Sequence, residues 1–401
     1  MASTPPRSAP RPTGLILSGG GARAAYQVGV LQAILELRQA AGGPPGNPFE
    51  VICGTSSGAI NASVLACGAD RFEETMQALV QVWQNFQVQQ VYRSDVLDML
   101  RSGLGWLALP LLGWTLRMRH LRPRSLLDNA PLHDLLRAHV DFQRLPQMLA
   151  DGHLSALAIT ASSYGGGEHV TFYQSQHAVQ SWVRTQRLAV RCELTHQHLL
   201  ASSAIPFVFP AARLDGPLGP AWYGDGAMRQ TAPISPAIHL GAERILVIGA
   251  GRMHEPRRPP APEAEDYPAM ASIAGHALSS IFLDALAVDI ERLTRINKAL
   301  ELIPTEQRAQ AQWRPIDLLV ISPSERLDEI AVRHTDSLPL SVKKLMRVLG
   351  SSEHPTRQQG GAFASYLLFE AAYTQELMAL GRRDALAKAA EVCRFFAWTP
   401  G

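Results

Sequence analysis

A serine set between glycines, Gly54-Thr55-Ser56-Ser57-Gly58, directly follows the short apolar run 49–53. This is a G-x-S-x-G pattern, whose glycines let a strand turn sharply into a helix and leave the central hydroxyl exposed at the strand's end, as a serine nucleophile requires. The register selects Ser56 rather than Ser57. Residues 58–66 are small and helix-compatible, so strand, turn and helix are all in place. In that geometry the Ser57 N–H and the helix N-terminus face the negative charge that develops on a carbonyl oxygen attacked by Ser56.

A second glycine cluster lies about forty residues upstream. Gly19-Gly20-Gly21-Ala22-Arg23 sits between a predicted strand, Thr13–Leu17, and a predicted helix over 24–39. Bare backbone N–H groups at Gly19, Gly20 and Gly21 could complete an oxyanion hole, with Arg23 adding fixed positive charge. A phosphate or dinucleotide cradle is the competing reading, but Gly19, Gly21 and Ala24 only loosely imitate G-x-G-x-x-G. The next strand also ends in a nucleophile elbow rather than an acidic ribose ligand.

A serine needs a base, and composition alone leaves it open. Among 13 histidines, His169, His196 and His198 follow the elbow, while Asp215-Gly216 and Asp225-Gly226 each read locally as a turn. No H-E-x-x-H or paired C-x-x-C occurs, so no metal or other cofactor is expected.

Four motifs in order carry a resemblance: Gly19-Gly20-Gly21-Ala22-Arg23, Gly54-Thr55-Ser56-Ser57-Gly58-Ala59, Ala201-Ser202-Ser203-Ala204-Ile205-Pro206 with Phe209-Pro210, and Asp225-Gly226-Ala227. Together they resemble the patatin-like phospholipase family, a group of lipid acyl hydrolases. The resemblance implies a Ser-Asp dyad of Ser56 and Asp225 in place of a triad, with Asp215 as a turn. It also implies an α/β fold, a three-layer sandwich around a mostly parallel central sheet with added helices. Two positions depart from the family pattern. Ala24 replaces the glycine usual after the arginine, and Thr231-Ala232-Pro233 lacks the usual asparagine.

The remaining elements follow from periodicity. Residues 154–161 and 169–173 read as strands joined at Gly165-Gly166-Gly167, 197–203 as a helix stopped before Pro206, and 244–249 as a buried strand. One helix is expected over 269–302, with an apolar stripe through Ile273, Ala277, Ile281, Leu286, Ile290 and Leu293 and an exposed acidic face of Asp284, Asp289 and Glu291. Residues 316–321 read as a late strand, and the chain beyond Leu338 as helices around a loop at 351–361. The expected organisation is a disordered tail at 1–12, a catalytic domain at 13–325 with a mobile loop at 251–268, and a helical extension at 326–401.

Residues 104–116 are almost wholly apolar, carry Trp106 and Trp114, and are bracketed by Arg101, Arg117, Arg119, Arg122 and Arg124. That composition suits a lid or membrane-docking insertion at 94–125, with both tryptophans in lipid contact, and it equally suits core packing. No stretch reads as the ~20 apolar residues of a membrane span. Scattered cysteines (Cys53, Cys67, Cys192, Cys393) and an N-terminus without an apolar signal core point to a cytoplasmic protein with peripheral membrane contact. A net charge of +2 from widely spread arginine predicts no nucleic-acid partner.

The expected function is serine-dependent hydrolysis of phospholipid or other acyl-ester lipids. The alternatives are a non-catalytic or regulatory lipid-binding protein on the same scaffold, and a nucleotide-binding oxidoreductase built on the first glycine loop.

Overall fold

The computed structural model describes residues 11–93, 125–253, 270–304, 307, 313–348 and 360–399. The run Thr-Gly-Leu-Ile-Leu is apolar on both faces, which suits an inner strand covered on both sides. It forms β1 (Thr13–Leu17), fully buried, and a 3₁₀ turn (Gly21–Ala24) leads from its end into α1 (Ala25–Ala40). Then come β2 (Val51–Thr55), α2 (Ser57–Cys67), α3 (Phe72–Gln84), α4 (Ala130–His139) and α5 (Leu145–Ala150).

The sheet continues with β3 (Ala156–Ser163), β4 (His169–Ser175), β5 (Val183–Arg184) and β6 (Arg187–Arg191). After α6 (His196–Ser202), a hairpin of β7 (Ala212–Gly216) and β8 (Gly219–Asp225) folds back on β3, and α7 (Ser235–His239) leads into β9 (Arg244–Ile248). The remaining elements are α8 (Met270–Ser279), α9 (Ala285–Glu301), β10 (Asp317–Ile321), α10 (Leu327–Arg333), α11 (Leu340–Val348), α12 (Gly361–Leu367), α13 (Ala371–Ala387) and α14 (Ala389–Phe396).

Among the described residues the strand order is β10-β9-β1-β2-β3-β4-β6-β5, with β8 also on β3 and β7 on β8. The centre, β10-β9-β1-β2-β3, is parallel throughout. The β3–β4 hairpin is antiparallel, because the Gly165–167 turn is too short for a crossover; Gly167 takes φ +73°. Alternate residues feed two cores. Leu15, Leu17, Ile52 and Ile159 face α1, α2 and α3, whereas Ile16, Val51, Cys53 and Val247 face α7 and α9. The result is the expected three-layer α/β sandwich around a mostly parallel sheet.

The helix expected over 269–302 departs from its reading. A π-turn, Ser280–Asp284, separates α8 from α9 and rotates the apolar stripe. Ala271, Gly275, Leu278 and Phe282 are buried before Leu286 and Leu293, and Ile273 is exposed. Asp289, expected on an exposed face, is buried and accepts the Ile234 N–H at 2.9 Å, so it fastens the chain directly before α7. By length and composition Met270–Glu301 also meets the requirement for a membrane span, unlike the expectation, although its Phe282, Leu286 and Leu293 pack inward here.

The C-terminal helices pack on the same side of the sheet as α1. At the crossing of α1 and α13 both backbones touch: a Cβ on Gly29 would strike the Met378 carbonyl, and one on Gly381 the Tyr26 carbonyl. Tyr26 Oη also donates to Asp384 at 2.9 Å. The expectations for residues 1–10, for the segment 104–116 and for most of the loops 251–268 and 351–361 lie outside the described residues.

Candidate active site

Ser56 sits between β2 and α2 with φ +54° and ψ −130°, a conformation that costs a non-glycine residue about 1–3 kcal/mol and persists only where packing imposes it. The packing is visible on both sides. A Cβ on Gly54 would overlap the backbone of Ala59, and one on Gly58 would strike the carbonyl oxygens of Leu17 and Ser18. The glycines thus let α2 descend onto the ends of β1 and β2. The strained turn is tied from outside as well, because the Ser56 N–H donates to the buried Ser202 Oγ at 2.8 Å. Ser57 is the first residue of α2, so its N–H has no partner within the helix and points from the positive end of the helix dipole.

Ser56 Oγ donates to Asp225 Oδ2 at 2.6 Å, and the Ala227 N–H donates to Asp225 Oδ1 at 2.9 Å. Asp225 ends β8, which is held on β3 by the pairing of Ala161 with Asp225. Gly226 is required directly after it, since a Cβ there would strike the Thr160 carbonyl. Ser56 is 2% exposed and Asp225 is 0% exposed. Burial pushes the Asp225 carboxyl up to about 7, against the opposing pull of the Ser56 and Ala227 hydrogen bonds. Among the described residues no cation offsets that burial, so this carboxylate is a far stronger base than an exposed aspartate.

The first glycine loop lies against the serine. A Cβ on Gly19 would come within 3.0 Å of Ser56 Cβ, so the loop backbone approaches as closely as only glycine allows. Gly20 abuts Ala250, and Gly21 takes φ +57° with the Tyr366 carbonyl where a Cβ would stand. Arg23 is buried and turned toward α12, its Nε donating to Ser365 Oγ at 2.8 Å and its guanidinium 4.0 Å from the Tyr366 ring centroid. Ala24, in place of the family's glycine, takes φ −66°, which an alanine adopts freely. Near the other departure, Gln230 Nε2 donates to Thr55 Oγ1 at 2.9 Å and Thr55 bonds Thr160 at 2.8 Å, joining the segment before Thr231 to the β2 end.

A pocket leads away from Ser56 between α2, α3 and α4. Ile60 and Val64 line one side, Leu79 and Trp83 a second, Leu132 and Leu136 a third, and Phe369 comes from the C-terminal segment. About 830 Å³ is free of protein atoms, a space that includes open solvent at its mouth. The walls offer almost no polar contact. Asn61, which also lines it, is occupied: it accepts from Trp83 Nε1 at 2.9 Å and donates to Gln27 Oε1 at 3.2 Å. Ala78 and His139 are exposed, so the pocket reaches solvent between α3 and α4.

The structure therefore brings Ser56, Ser57, Gly19, Gly20, Gly21 and Asp225 together, with Gly54 and Gly58 shaping the elbow. The three histidines weighed as a base, His169, His196 and His198, make their contacts elsewhere. His198 Nδ1 meets the Thr195 N–H at the start of α6, His196 Nε2 meets the Val140 carbonyl, and His169 is buried on β4 with its imidazole pushed down to about 4. Asp215 lies in β7, one residue before its end at the hairpin, and pairs with Arg213. Trp106 and Trp114 lie outside the described residues. The sequence reading assigned no role to Ser202, Phe282, Ser365 or Tyr366. Ser202 stood within a quoted motif, whereas the other three carry no local signal.

A family model described as patatin-like phospholipase matches residues 15–238. No curated protein matches the chain. Among solved structures, VipD from Legionella pneumophila is 14% identical, with 93% of this chain and 67% of that one covered at a TM-score of 0.32. The type III effector ExoU is 15% identical, with 96% and 62% covered at 0.30. Full-length ExoU of Pseudomonas aeruginosa, solved with SpcU, is 20% identical, with 41% and 35% covered at 0.20. The chain thus spans about two thirds of the length of VipD and a smaller part of ExoU.

Proposed function

The chain belongs to the patatin-like phospholipase family, and from that premise we propose that it hydrolyses acyl-ester lipids through a Ser56-Asp225 dyad and an acyl-enzyme. The reading rests above all on the 2.6 Å hydrogen bond from Ser56 Oγ to a fully buried Asp225, made at the inner end of an apolar pocket.

The acyl chain lies in the pocket of Ile60, Val64, Trp83 and Leu136, which brings the ester carbonyl to Ser56. Asp225 Oδ2 takes the Ser56 proton as Oγ bonds the carbonyl carbon. The carbonyl π electrons move onto oxygen, where the N–H groups of Ser57 and the Gly19–Gly21 loop stabilise the charge; one such donor is typically worth about 2.7–4 kcal/mol of barrier. Collapse of this intermediate breaks the ester C–O bond, and protonated Asp225 delivers its proton to the departing alkoxide. Water then attacks the acyl-enzyme. Asp225 takes its proton and returns it to Ser56 Oγ as the fatty acid leaves. The Ala227 N–H keeps Asp225 Oδ1 occupied, so Oδ2 faces the serine throughout.

The test is to locate the acyl group. Acid quenching during turnover of a medium-chain nitrophenyl ester, followed by peptide mass mapping, places the added acyl mass on the peptide containing Ser56. Acylation at another residue, or none under turnover, contradicts the reading.

A further inference from the structure

Arg23 was expected to lend its charge to the oxyanion, yet every contact described for its side chain points the other way. Its Nε donates to Ser365 Oγ at 2.8 Å, Ser365 Oγ donates onward to the Ala362 carbonyl at 2.6 Å, and its guanidinium lies 4.0 Å from the Tyr366 ring centroid. All of these partners belong to α12. The same short helix touches the glycine loop again at Gly21, where the positive φ leaves room for the Tyr366 carbonyl. Tyr366 also stacks on Phe282, with ring centroids 5.1 Å apart and planes at 28°, and Tyr366 Oη reaches Ser279 Oγ at 3.4 Å.

Phe282 completes the contact. It belongs to the π-turn, and a Cβ on Gly19 would lie 2.9 Å from its Cδ1 and 3.0 Å from Ser56 Cβ. Gly19 is therefore held between the nucleophile and the Phe282 ring. π-turns are rare and are retained mostly at functional sites, because the extra residue redirects one side chain. Here the redirected side chain is the one that backs the glycine loop. Phe282, Ser365 and Tyr366 all lie beyond residue 238, outside the matched segment.

We propose that Arg23, Phe282 and Tyr366 are positioning residues that fix the Gly19–Gly21 N–H groups at the oxyanion, so that the C-terminal part of the chain completes the catalytic site. This rests on the Ser56-Asp225 reading. Arg23 acts through Ser365 and Tyr366, and it is no direct ligand of the substrate oxygen. Since the device holds donors that bind charge only as it develops, its loss lowers kcat and leaves KM in place.

The experiment measures kcat, KM and the pH profile on a soluble short-chain ester for wild type, Tyr366→Leu, Tyr366→Phe, Arg23→Ala and the double variant Arg23→Ala/Tyr366→Leu. A displacement of about 1 Å in such a group costs about 10²-fold, so Tyr366→Leu is expected to lose about that much kcat with KM unchanged. Its acidic limb is expected to stay where the wild type has it, because Asp225 is untouched. Tyr366→Phe, which keeps the ring over Arg23 and against Phe282, is expected to stay near the wild-type rate. The double variant is expected to be no slower than Tyr366→Leu, because Arg23 acts through Tyr366. A Tyr366→Leu enzyme with wild-type kcat overturns the inference and leaves the dyad standing. So does a double variant slowed by the product of the two single effects, or a Tyr366→Leu enzyme whose acidic limb moves with its kcat. A wild type inert on esters overturns the dyad and the inference together.

Discussion

The most unusual residue of the site is Asp225, a fully buried carboxylate held by one hydroxyl and one amide. Its raised pKa has two consequences. As base it must be ionised, so kcat/KM is expected to rise along an acidic limb centred near pH 7, where an exposed aspartate would place the limb near 4. The folded chain also holds this proton up to about pH 7, whereas the unfolded chain releases it near 4. The stability contribution of this residue is therefore complete below pH 4 and falls as pH rises to 7, by about 4 kcal/mol in all. Asp225→Asn is accordingly expected to be inactive yet to melt above wild type at pH 8, with the difference closing toward pH 5. Melting curves at the two pH values check this, and a variant less stable than wild type at pH 8 contradicts it. Ser56 strains its backbone and Asp225 its charge, so both residues of the proposed dyad oppose stability.

At the scale of elements, the pocket is made by helix faces that read locally as ordinary amphipathic surfaces. Nothing in 72–84 or 130–139 distinguishes a face packed on a neighbour from one that leaves space beside it, so Trp83, Leu132 and Leu136 were not legible as a binding wall. Val64, one turn beyond Ile60 on α2, lines the pocket away from the serine. Val64→Phe is therefore expected to shift selectivity from long-chain toward short-chain esters by about tenfold in kcat/KM, with the short-chain rate unchanged. Equal loss on both would show that the chain takes another path. The π-turn was hidden for a related reason. A 3.6-residue stripe fits either half of 270–301, and only the place where Phe282 meets Gly19 reveals that a residue has been added between them.

For the whole molecule, the legible part was that carried by short-range signals. The elbow, the Gly19–Gly21 loop and the central strands fell where spacing put them, because glycine marks close backbone contact and continuous apolar runs mark inner strands. Asp225 was legible only through the order of the motifs, since Asp-Gly alone reads as a turn. Long-range burial was not legible, as Asp289 and the seating of the C-terminal helices show. That seating predicts one cooperative unit. Gly381→Val, whose added methyls meet the Tyr26 carbonyl, is expected to lower stability by about 3 kcal/mol in a single denaturant transition followed at Trp83 and Trp398 alike. Two separate transitions would show the C-terminal helices to be an independent appendage.

The proposed joint action of Ser56 and Asp225 in ester hydrolysis is tested by turnover of a soluble short-chain ester by wild type, Ser56→Ala and Asp225→Asn, each confirmed folded. Wild type is expected to turn over and both variants are expected to be inactive. An Asp225→Asn enzyme that keeps its activity would contradict it.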